Sequence, residues 1–192
     1  ETYEALKKYI QKDMYNLKEL VTRLIAGSSI EINPDKFQND MTTFASADDV
    51  LTLLVHLGYL TYDFDTCTVH IPNQEVQKEF INCIEDGGWE PVMDAIRKSE
   101  ELLAATIRGE EETVARMIEN AHQENTSILA YNDENSLACV IALAYYSAKK
   151  NYVVYRELAG GKGFADMVFV PRKTTQTPAI VVELKWNQTA EA

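Results

Sequence analysis

The chain of 192 residues carries 30 acidic and 18 basic groups, a net charge of −12, with 46% apolar and 25% charged residues. This is the composition of an ordinary globular protein of one or two domains, and it excludes disordered and collagen-like chains. A surface this acidic repels nucleic acid unless its basic groups are gathered in one place.

In chain order, Leu17, Leu20, Val21, Leu24 and Ile25 recur at helical spacing, and Gly27 stops the helix. Ser29 to Asn33 reads as extended. Ser46 and Asp49 form a capping-box pattern, with Asp in place of the usual Glu or Gln. It opens a helix carrying Val50, Leu53, Leu54 and Leu57, which Gly58 ends. Leu60, Tyr62 and Phe64, then Val69 and Ile71, alternate around an Asp63–Thr66 turn and predict a hairpin. The order helix, strand, helix, hairpin is winged-helix-like. The second helix, roughly 47–57, has two Asp and no Lys or Arg. A groove-reading helix needs donors to phosphates and base edges, so this front part reads as a packing or interaction module.

From Asn73 the pattern is helical, with Val76, Phe80 and Ile84 on one face and Gly87-Gly88 as its end and the linker candidate. Pro91 suits the first turn of a helix carrying Val92, Ile96, Leu103 and Ile107. Glu110 to Glu112 start another, with Val114, Met117, Ile118 and Ala121. A long helix is predicted from about Asn132 to Lys150. Extended runs follow at Tyr152–Leu158, Phe164–Val170 and Ala179–Lys185. The last two are nearly continuous in apolar residues, which predicts strands buried on both faces.

No apolar run approaches the ~20 residues that span a bilayer, and the opening residues show no export leader. Cys67, Cys83 and Cys139 form no CxxC pair, which suits a reducing, cytoplasmic compartment. His56, His70 and His122 lack zinc-ligand spacing. No GxSxG motif occurs, and Gly160-Gly161-Lys162-Gly163 lacks the frame of a phosphate-binding loop.

Ionisable residues interrupt the apolar strands: Asp166 in Phe-Ala-Asp-Met-Val, and Glu183 and Lys185 in Val-Val-Glu-Leu-Lys. Alternation places Glu183 and Lys185 on one strand face. A hairpin would bring Asp166 beside Glu183, and Glu134 projects from the apolar face of its helix. Adjacent carboxylates repel unless a cation lies between them. Hard oxygen donors without Cys or His suit Mg²⁺ or Mn²⁺. With a lysine for the phosphate, the set is what metal-assisted phosphodiester hydrolysis requires. The alternative is structural: an exposed edge strand, with Glu134 in a first helical turn where carboxylates are favoured.

Asp166 followed by Glu183-Leu184-Lys185 resembles the PD-(D/E)XK nuclease superfamily, with Ala165 where the signature has Pro. Residues 126–192 are similar to the nuclease-like domain at the C-terminus of a large bacterial family of AAA-ATPase-like proteins, through Glu134-Asn135, Arg156-Glu157 and Gly160 to Gly163. Leu57-Gly58-Tyr59-Leu60-Thr61 and Ile71-Pro72-Asn73 extend the similarity upstream. The resemblance implies Asp166, Glu183 and Glu134 as metal ligands and Lys185 as the catalytic lysine. It implies DNA as substrate and an ATPase module upstream; no membrane association is expected, from the lack of a bilayer-spanning apolar run. Glu157 falls at a frequently acidic position and is given no role.

The expected fold class is α+β or α/β. A winged-helix-like domain over 1–86 and a helical connector over 87–125 precede a restriction-endonuclease-like α-β-β-β core over 126–192. That core lacks the last helix and strand the resemblance implies, although Thr189-Ala190-Glu191 reads as a helix start. A binding or regulatory module on the same fold, without turnover, is the alternative function. Residues 151–192 carry a net +1 and the preceding 150 residues −13, so the acidity belongs to the front of the chain.

Overall fold

A computed structural model describes residues 4–11, 16–37, 44–126, 128–129, 134–160, 163–173 and 176–185. Among them are seven α-helices and two three-stranded sheets, all strand pairs antiparallel, an α+β chain. It divides into two compact units, Glu1–Met93 and Asp94–Ala192. No helix among the described residues is long and apolar enough to cross a membrane.

The first unit contains α1 (Glu4–Gln11), α2 (Leu17–Ile25), β1 (Ile30–Glu31), α3 (Ala47–His56), β2 (Thr61–Asp63), β3 (Thr68–His70) and α4 (Gln74–Asp86). The sheet order is β1-β3-β2, with Val69 of β3 between Ile30 and Tyr62. The capping box at α3 is complete. Ser46 Oγ accepts from the Asp49 N–H at 3.4 Å, and Asp49 Oδ2 accepts from Ser46 N–H at 3.0 Å and Ala45 N–H at 2.8 Å. Val50, Leu51, Leu53 and Leu54 are all buried, so α3 is a core element. Its neighbouring acid, Asp48, accepts from the Asn33 N–H. Both α3 carboxylates thus serve local backbone, consistent with a packing role for a helix without cations. Asn73 caps α4 by accepting from the Val76 N–H. Gln77, buried, donates to the Ile25 carbonyl at 2.7 Å and ties α4 to α2. The helix α1 buries Leu6 and Ile10 and was not anticipated from the sequence.

The second unit receives most of α5 (Glu90–Arg108), then α6 (Glu111–Asn125), α7 (Glu134–Ala144), β4 (Tyr152–Gly160), β5 (Gly163–Pro171) and β6 (Ile180–Val182). Its sheet order is β4-β5-β6. Ala138, Ala142 and Ala144 let α7 bury itself closely. At its end Tyr145 packs on Phe169 of β5, ring centroids 5.4 Å apart, and Tyr152 meets the same ring edge-on at 6.2 Å. Thr106 of α5 shares a 2.8 Å hydrogen bond with the Tyr145 hydroxyl. Ser99 Oγ accepts from the Ser147 N–H, holding the turn after α7 against α5.

Three expectations change. The helix foreseen to Lys150 ends at Ala144, and Tyr146–Lys150 tighten into a 3₁₀ turn that leads into β4. The strand foreseen over 179–185 is only Ile180–Val182. The sheet is not buried on both faces: Met167 and Phe169 are buried, but Val181 is 62% exposed and Tyr155 and Val170 are also exposed. The helix starts expected at Asn132 and Thr189 lie outside the described residues.

Candidate active site

Register builds the site. In the β4–β5 hairpin, Arg156 pairs with Met167 and Leu158 pairs with Ala165. Glu157 and Asp166 fall opposite each other between those pairs, where the regular pairing is interrupted. Glu157 has φ +52°, the left-handed region, where a side chain with a Cβ is strained. Such strain persists only where surrounding structure enforces it, and it concentrates at functional positions.

Asp166 is half-buried, and its Oδ2 accepts from the Leu184 backbone N–H at 2.6 Å. The β5–β6 ladder has its last pair at Met167 and Val182. Beyond it this charge-assisted bond takes over and holds the Glu183–Lys185 stretch beside β5. It also explains why β6 is short: the Leu184 donor goes to a side chain instead of a strand carbonyl. A carboxylate accepts through two oxygens, so the bond fixes the Asp166 side chain without exhausting it.

A recess of about 240 Å³ is lined by Glu134, Asn135, Ala138, Arg156, Glu157, Asp166 and Leu184. Glu134 stands in the first turn of α7, which brings it to the hairpin. The structure therefore gathers Glu134 and Asp166, two of the four residues expected from the sequence. Glu183 and Lys185 are exposed and are not among the lining residues. In their place the recess has Glu157 and Arg156. Sequence reasoning noted both and gave neither a role. The available signal was two adjacent charged residues inside an otherwise apolar strand, shortly before a glycine cluster.

Three carboxylates and one guanidinium leave two negative charges in excess around the recess. A divalent cation would offset that excess. Among the described residues, no three of His, Cys, Asp and Glu are grouped closely enough to hold a metal ion by themselves. Mg²⁺ does not need such a cage. It keeps several waters and is held by one or two carboxylates together with substrate phosphates. The donors available here are hard oxygens, without thiol or imidazole, so the residues fit Mg²⁺ or Mn²⁺ in that partly hydrated form.

No protein-family model, curated protein or solved structure matches this chain.

Proposed function

We infer that the second unit is a metal-dependent nuclease of the PD-(D/E)XK type on a restriction-endonuclease-like core. The winged-helix-like first unit belongs with it in a protein that also carries an ATPase module. The observation that supports this reading is the recess in which Glu134, Glu157 and Asp166 meet Arg156. Asp166 and Glu157 would hold Mg²⁺ or Mn²⁺, with Glu134 close enough in the fold to assist. The ion would supply Lewis-acid polarisation of the phosphodiester and a more acidic attacking water. Arg156 presents a guanidinium suited to two phosphate oxygens at once. Glu134 accepts a hydrogen bond from the attacking water and so orients it toward phosphorus. The Leu184 N–H, bonded to Asp166 Oδ2 at 2.6 Å, helps to orient that carboxylate. Lys185, the catalytic lysine that the resemblance implies, stands outside this set, and Arg156 takes the cationic role.

The test is cleavage of DNA by the chain with Mg²⁺ or Mn²⁺ and with EDTA. Asp166→Asn and Arg156→Ala should each lower the rate by about a hundredfold, the usual loss for one positioned electrostatic group. Lys185→Ala should lower it less. Metal-dependent cleavage that Asp166→Asn leaves untouched would refute the assignment.

One observation favours a second reading, a nucleic-acid- or protein-binding module without turnover: Asp166 already serves the Leu184 N–H, and no three acids are grouped as a cage. Calorimetric titration with Mn²⁺ separates the two. Heat of binding that disappears in Asp166→Asn supports the nuclease, and absence of binding in the parent chain supports the module.

A further inference from the structure

We propose that Phe164 is a stacking platform for an unpaired nucleobase beside the recess, so that this site takes single-stranded nucleic acid. The proposal rests on the phosphodiesterase reading of the recess. It concerns which form of substrate the site accepts.

Phe164 is 70% exposed, a large apolar ring left in water. It lies two residues before Asp166 on β5, so strand alternation carries it on the same face, about 7 Å further along the strand. Its partner across the hairpin is Ala159, and the next pair is Gly160 with Gly163. Neither pair offers a side chain large enough to cover the ring. Phe64 of the first unit, also strongly exposed, differs: Tyr62 packs edge-on against it, ring centroids 4.9 Å apart.

The occupant follows from what the recess holds. A phosphodiester seated by Arg156 and the carboxylate-bound ion carries its own base within a few ångströms. A flat apolar ring at that distance meets the π-face of the base. In a duplex that face is already stacked on its neighbours, and extruding the base costs a few kcal/mol. An unpaired nucleotide offers it freely. Stacking of this kind tolerates any base.

The experiment measures fluorescence anisotropy of labelled oligo(dT) and of a duplex of equal length, at low salt, with Ca²⁺ replacing Mg²⁺ so that nothing is cut. The parent chain should bind oligo(dT) more tightly than duplex. Phe164→Ala should weaken oligo(dT) binding about tenfold, in the usual range for one lost base stack, while Phe164→Trp keeps it. Equal oligo(dT) binding by parent and Phe164→Ala overturns the proposal. So does the absence of oligo(dT) binding, or a self-association of the parent that Phe164→Ala abolishes. The two readings fail separately. Asp166→Asn that still cleaves removes the nuclease assignment and leaves the stacking result standing. Cleavage that needs Asp166 but ignores Phe164 and strandedness removes only the stacking.

Discussion

Glu157 offers the sharpest test, because strain and chemistry there predict opposite responses to one substitution. In an ordinary strand position Gly is less stable than Ala by about 0.5–1 kcal/mol, through backbone entropy. At φ +52° the order inverts. The left-handed conformation costs a residue with a Cβ about 1–2 kcal/mol, and Gly escapes that cost. Against it stands the extra freedom of Gly in the unfolded chain, about 0.4–1 kcal/mol. Glu157→Gly should therefore be more stable than Glu157→Ala by about 0.5–1 kcal/mol. Both variants lack the carboxylate, so their difference isolates the backbone. In a chain of this length 1 kcal/mol moves Tm by about 2–4 °C, which differential scanning calorimetry resolves. Both variants should lose most Mg²⁺-dependent cleavage despite the gain in one of them. Glu157→Gly melting below Glu157→Ala would refute the strain argument. Full cleavage in either would show that strain here serves folding and not the site.

Three further outcomes follow from local geometry. Asp49→Ala should destabilise the first unit by about 1–2 kcal/mol, because it frees two backbone donors at the helix start that it now holds at 2.8 and 3.0 Å. Ser46→Ala loses only the 3.4 Å bond and should cost no more than about 1 kcal/mol; equal urea midpoints for the two would contradict this. Burial holds the Lys149 ammonium down at about 8 from its ordinary 10.5, over the Tyr146 ring at 4.9 Å. The unfolded chain keeps that proton between pH ~8 and ~10.5 where the native state releases it, so this group makes stability rise across that window. Lys149→Met should flatten the rise in denaturation midpoints, and an unchanged slope would show that the residue titrates normally.

The parts of the fold that were legible in the sequence share one property: their signal is local. The α3 capping box, the Asn73 cap and the β2–β3 turn each need only a few adjacent residues to satisfy their own backbone groups. The α-helical register of Val50, Leu53 and Leu54 likewise reports a face that is buried whatever covers it. What was not legible depends on partners far along the chain. Glu183 to Lys185 look as strand-forming as Ile180 to Val182 before them. They leave the ladder because Asp166, 18 positions earlier, takes the Leu184 N–H. The same contact separates Leu184, which lines the recess, from Glu183 and Lys185, which do not.

That contact also decides how the charges are to be read. Alternation along an ideal strand puts Glu183 and Lys185 on one face, and an extended β5–β6 ladder would set Glu183 beside Asp166. The ladder stops one pair short of that position. The acid opposite Asp166 in the hairpin register is instead Glu157, on the other neighbouring strand. A pattern of acid, then acid-X-lysine, is thus compatible with two different carboxylate pairs, and only the register chooses between them. Mn²⁺ titration of Glu157→Gln and Glu183→Gln separates the pairs directly. Loss of affinity by more than about tenfold in Glu157→Gln, with Glu183→Gln near the parent, is the result the hairpin register requires. The reverse order would mean that metal binding re-forms the β5–β6 ladder through Glu183 and releases Leu184 from Asp166.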